Sequence, residues 1–372
     1  MKHVLLLLLT LLVAAAATAW IRYGGGAPYA DLTSAPVLQQ EVLEEVLSYP
    51  LPIGNVAVSA TGRVFFTVHP EARPKGNKLL EFVDGAAVPY PGIGQQAELF
   101  DTVLGVAIDR QGNLWTIDHG NHGTRSVRLL AFDLDSGKIV HDHRLPAEIA
   151  PAGSFLQDLQ VSADGRTIII ADASFWRKRP AIIVYDVESA AARRALESHP
   201  SVFAEKFVIA HGGNEMRFFG GLVALRGGVD GIALGPEWLY YGALSGSSLY
   251  RVRLRDLRDS ALPPAQLARR VEEYSAKPLS DGFSTDVEGH VYVTDVEHNA
   301  IFRIGEDRDP VTLLRSTRVR WPDALSFGPD GWLYVADSAL QEVVLQPQEN
   351  IEANSPYKVF RFRPGYEGVP GQ

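Results

Sequence analysis

The sequence predicts an all-β, six-bladed β-propeller closed by an N-terminal strand and set behind an export signal. Three observations predict it. One strand–turn–strand signature recurs six times, each copy is followed by a third strand, and a short charged start with an apolar run opens the chain.

The signature comprises a polar or glycine opener, a short apolar strand, a turn, and a second strand rich in Val, Ile, Tyr, Phe or Trp. Its copies are NVAVSATGRVFFTV from Asn55, GVAIDRQGNLWTID from Gly105, DLQVSADGRTIIIAD from Asp158, DGIALGPEWLYYGA from Asp230, DGFSTDVEGHVYVTD from Asp281 and DALSFGPDGWLYVAD from Asp323. The turns TG, QG, DG, PE, EG and DG are hairpin chemistry. Third strands follow as KLLEFV from Lys78, VRLLAFD from Val127, AIIVYDV from Ala181, SLYRVRL from Ser248, AIFRI from Ala300 and YKVFRF from Tyr357. Openers lie 42 to 72 residues apart, room for four strands each, and six such units form a ring. A solenoid would keep a stricter period.

Ring closure makes residues 37–372 one domain, although 372 residues would suggest two on length alone. The segment Gln40 to Leu47 precedes the first blade and is expected to supply the outer strand of the sixth, which removes two sheet edges. Pro263 to Ala276 starts with proline and puts Leu267, Val271 and Tyr274 on one face, so it reads as a short helix, with Ser189 to Leu196 as a second candidate.

The leader places Lys2 and His3 before an apolar run, and Ala17-Thr18-Ala19 fits a small-x-small cleavage pattern. Residues 1–19 therefore read as a signal peptide. The rival is a retained anchor, since Val4 to Ile21 gives 18 uncharged residues, the short end for a span. Either way the domain is expected outside the cytoplasm, secreted or periplasmic, with residues 20–36 as a flexible lead-in. Net charge is −9 with no long basic run, which points away from nucleic acid. The absence of cysteine excludes disulfides, thiolate catalysis and cysteine-held zinc.

Propeller topology places each opener and each loop after a second strand on one face. Four of the six openers are carboxylates, Asp158, Asp230, Asp281 and Asp323, the others being Asn55 and Gly105. Carboxylates converging on a narrow axis need a cation, a shared proton or hydrogen-bond donors. Calcium or another divalent cation suits such oxygens. The loops add His119, Trp176 and Asn299 as ligand-binding candidates beside Asn55, Asp158 and Asp323. The end-of-strand Asp118, Asp172, Asp295 and Asp337 read as caps. No phosphate loop, HExxH or GxSxG motif is present.

Four stretches, residues 54–71, 228–252, 277–304 and 320–337, resemble the major royal jelly protein and yellow family, including bacterial dopachrome-tautomerase-like members. The resemblance spans roughly residues 37–363 and implies a secreted six-bladed propeller with a small-molecule pocket in its channel. Some animal members bind biogenic amines, and insect relatives are linked to dopachrome conversion. The chain is more loosely similar to gluconolactonases, whose channel cation is held by a glutamate, two asparagines and an aspartate. Here Asn55 stands at the glutamate position, while Asp230 or Asp281 would match the aspartate. This departure counts against lactonase chemistry and leaves cation binding open.

Three readings follow. The first is an exported protein binding a small molecule, with or without a cation, at the acidic mouth. The second is an enzyme on the same site, a tautomerase-like isomerase or a metal-assisted lactonase with Asp281 and Asp230 as catalytic groups. The third is a structural or interaction propeller.

Overall fold

The computed structural model describes all 372 residues. Six four-stranded antiparallel sheets surround one axis. The innermost strands are Ile53–Val58, Val103–Ile108, Leu156–Val161, Val229–Leu234, Phe283–Thr285 and Pro322–Phe327. Nearly every inner position is buried, whereas an outer strand such as Ile139–Leu145 is mostly exposed. Apolar content thus falls with distance from the axis, as packing of blades face to face requires.

The turns explain the repeated hairpin. Asp109 Oδ1 accepts the backbone N–H groups of Gln111 and Asn113, and Oδ2 accepts the Trp115 indole N–H at 2.7 Å. Asp286 does the same for Glu288 and His290, with the Tyr292 hydroxyl donating at 2.8 Å. One carboxylate fixes the turn and anchors the strand that leaves it.

The ring closes as expected. Glu44–Tyr49 pairs antiparallel with Tyr357–Phe362 as the outer strand of blade six, and Leu47 points into the core. Two expected helices are corrected. Ala191–Ala195 is the outer strand of blade three, and of Pro263 to Ala276 only Pro264–Ala268 is helical, Glu272–Ala276 being the outer strand of blade four. Both segments complete a ladder with an otherwise open edge, so pairing overrides their alanine-rich helical preference.

The N-terminal helix, Lys2–Tyr23, has no buried residue and is long enough to cross a membrane, which is also compatible with a signal sequence. The lead-in lies along the propeller: Ala27 bridges Phe207, and Leu38 N–H donates to Leu313. At the face opposite the mouth, the last residues enter the channel. Ile108 N–H donates to Gly371, Gly371 N–H to Phe327, Phe327 N–H to Gln372, and the Gln372 side-chain amide to Val161. Three inner-strand ends are thereby tied together and that end of the channel is filled.

Candidate ligand site at the mouth of the channel

The openers converge because the backbone makes them do so. Register shifts fall at or beside the opener in blades one, two, three, four and six. Each bulge re-aims the following side chain. Glycine recurs at this level because neighbouring strands nearly touch. A Cβ on Gly105 would lie 2.5 Å from the Gln157 carbonyl oxygen, and one on Gly231 would lie 2.2 Å from that of Asp281. This close approach is why blade two opens on Gly105 and not on a carboxylate.

Asp230, Asp281 and Asp323 are buried, and Asp158 keeps partial exposure while lining a cavity of about 10 Å³ within the channel. Burial pushes the Asp281 carboxyl up to about 7, against the pull of the Trp321 indole, Asp230 and Lys277. Burial, followed by the Asp281 charge among other influences, lifts Asp158 to about 7. Asp230 and Asp323 are driven well above the carboxylate range by burial and then by the Asp281 charge. Carboxylates this close cannot all ionise, so the cluster shares protons. Lys277 lies fully buried beside it, its Nζ donating to the carbonyls of Ala243, Gly246 and Pro278 and to Ser280 Oγ at 2.8–3.1 Å.

Above the cluster opens a cavity of about 100 Å³. Its walls include Phe155, Phe175, Trp176, Phe218 and Leu225, and Asp230, Asp281 and Trp321 also line it. The lining holds three carboxylates and two histidines but neither lysine nor arginine. Asp230 Oδ1 is buried and accepts no N–H group, and the carboxyl is hydrogen-bonded to that of Asp281. On one side His122 Nε2 lies 3.4 Å from Glu71 Oε1, with the His122 ring stacked on Phe155. Burial would raise Glu71, but the bond to His122 and nearby positive charge hold it below its usual value. His69 accepts the Glu71 N–H on Nδ1, which leaves its proton on Nε2, facing Asp323 Oδ2 at 3.9 Å. Burial pushes His69 down to about 4, so it is neutral.

Of the residues singled out in the sequence, Asp230, Asp281 and Trp176 line this cavity. Asn55 and Asp158 line the small cavity below, and Asp323 lies between His69 and the cluster. Asn299 and His119 do not line the upper cavity. Asn299 donates its amide to the Val319 carbonyl at 2.8 Å and holds a rim loop, while His119 is buried behind the wall with Nδ1 accepting the His122 N–H. The four strand-end aspartates are caps: Asp118, Asp172, Asp295 and Asp337 each accept backbone N–H groups of adjoining loops. Sequence reasoning missed Glu71 and the wall supplied by residues 210–225, which form two small hairpins. Trp321 belongs both to the core and to the cavity floor.

A divalent cation does not suit these residues. No group of three or more His, Asp and Glu side chains converges in a metal-holding arrangement. Asn55 Oδ1 accepts the Val56 N–H, and Asp281 Oδ2 accepts the Trp321 indole. Asn55 Oδ1 and one oxygen of Asp281 are therefore already committed to N–H donors, and of the three expected ligands only Asp230 keeps an oxygen without one, so they do not form a ready-made cation site.

Residues 101–319 match the family model described as Major royal jelly protein. The chain belongs to that family. No curated protein sequence matches it. Among solved structures, this member of the major royal jelly protein family is similar to a luciferin-regenerating enzyme, at 12% identity over 88% of this chain and 97% of that one, TM-score 0.57. It is also similar to a gluconolactonase from Xanthomonas campestris, at 14% identity over 92% and 99%, TM-score 0.54. A putative gluconolactonase gives 13% identity over 93% and 99%, TM-score 0.54. Likeness at this level establishes the six-bladed fold alone.

Proposed function

We propose that this royal jelly family member is an exported binding protein for a small aromatic amine, held with its ring in the apolar cavity and its ammonium on Asp230 and Asp281. The observation that carries this reading is the buried Asp230 Oδ1, which accepts no N–H group, beneath an aromatic-walled cavity without lysine or arginine. A buried carboxylate without an N–H donor is kept neutral at a cost, and an incoming N⁺–H group would supply the donor. Calorimetry with tyramine and its uncharged counterpart 4-ethylphenol tests it. The ammonium is expected to improve affinity at least about tenfold, with that advantage lost in Asp230→Asn. Equal affinity for both compounds would refute the reading.

A second reading is an isomerase that moves a proton on the bound molecule. It is favoured by Asp281, which titrates near neutrality, and by the Glu71–His122 pair on the opposite wall. Enzyme-dependent deuterium uptake from solvent into a C–H position of a bound catechol derivative would support it. Metal-assisted lactone hydrolysis is not carried forward, because the donor set does not suit the metal.

A further inference from the structure

A separate cavity, of about 90 Å³, lies where the N-terminal helix meets blade three. Arg22, from the last turn of that helix, Lys178 and Arg226 converge on it, with Ser174, Phe203 and Gly228 among the other lining residues. No carboxylate lines it. The neighbouring arginines are already matched, Arg177 and Arg179 on Glu197 and Arg217 on Glu215. Arg22, Lys178 and Arg226 have no acidic partner; Arg22 donates to the Arg177 carbonyl, Lys178 to the Arg226 carbonyl, and the buried Arg226 Nε has no partner at all.

We propose that this cavity binds a phosphate-type anion through Arg22, Lys178 and Arg226. Three cations gathered without a counter-charge repel one another, and a tetrahedral oxyanion would satisfy them and the idle Arg226 Nε together. Desolvation, followed by the charges of Arg226 and Arg22, already lowers Lys178 to about 7. Two sources share this chemistry: free phosphate and the headgroup of an anionic phospholipid. The position of the cavity bears on the second. A helix of 22 residues is about 33 Å long, close to the thickness of a bilayer core, and Arg22 stands at its end, where headgroups lie. The helix end is fixed there, with the Tyr23 hydroxyl donating to the Trp176 carbonyl at 2.8 Å.

The full chain, purified in an uncharged detergent, is titrated with inorganic phosphate, with short-chain phosphatidylglycerol and with short-chain phosphatidylcholine, following tryptophan fluorescence and the melt. Binding of phosphate and phosphatidylglycerol but not phosphatidylcholine, weakened about tenfold or more in Arg226→Gln and in the exposed-site variant Arg22→Gln, supports the proposal with a lipid as source. Binding of phosphate alone, with the same loss in the variants, supports it with a soluble anion as source. Absence of any response to either anion, or a response that both variants retain, overturns it. Arg22 is exposed, so its variant folds whether or not Arg226→Gln does.

Discussion

The indole N–H of Trp321 donates to Oδ2 of Asp281 across 2.8 Å, joining the loop that enters blade six to the opener of blade five. This bond holds one oxygen of a carboxylate that burial pushes up to about 7. Trp321 is itself fully buried at the floor of the cavity.

Trp321→Phe keeps most of the packing and removes that donor. Stability is expected to fall by about 1–3 kcal/mol in urea melts. The Asp281 carboxyl should rise further, moving the pH midpoint of amine binding upward. A midpoint that stays in place would show that the bond does not tune the acid.

The acid cluster also sets how stability varies with pH. Asp158, Asp230, Asp281 and Asp323 all have raised folded-state values, so the folded chain holds more protons than the unfolded one above the ordinary carboxylate range. Their contribution is fully present below the unfolded value, about 4; that of Asp158 and Asp281 is lost as pH rises through about 7, and that of Asp230 and Asp323 is lost as pH rises through their own raised values. The melting temperature is expected to fall across this window. Asp230→Asn removes one of the repelling groups and should flatten the fall, leaving the variant the more stable protein near pH 8. An unchanged slope in differential scanning calorimetry would argue against a shared-proton cluster.

Closure by the N-terminal strand gives a third test. Leu47 is buried in the largest core cluster, and its strand forms the whole outer edge of blade six. Leu47→Ala should cost about 2–5 kcal/mol, and deletion of residues 37–50 should lower the melting temperature severely. An unchanged melt after the deletion would contradict closure by this strand.

The opposite end of the channel gives a fourth. Gly371 has φ +90°, and a Cβ there would lie 2.5 Å from that of Ile108. Gly371→Val is expected to drive the tail out, with the amides of Ile108 and Phe327 exchanging faster in deuterium oxide. Unaltered exchange at both amides would show that the tail tolerates the side chain.

The ring and its rim were legible in the sequence because both repeat. Strand alternation and hairpin turns recur with a local period, so Asp230 and Asp281 could be placed on one face by topology alone. What failed was non-repetitive. Ser189 to Leu196 reads as a helix locally, and only the open edge of Tyr185 and its neighbours makes it a strand. The cavity wall around Phe218 and Leu225 comes from an insertion with no counterpart in other blades. Nor does residue type reveal which oxygens already accept N–H groups, as those of Asn55 and Asp281 do.

The most direct test of the acidic cavity as an amine site is calorimetry of tyramine binding, repeated in buffers of different ionisation enthalpy. Near pH 6.5 the ammonium must displace protons shared by Asp230 and Asp281, so binding is expected to release up to about one proton and to tighten as pH rises through about 7. Heat independent of the buffer, or affinity that weakens as pH rises through that range, would contradict it.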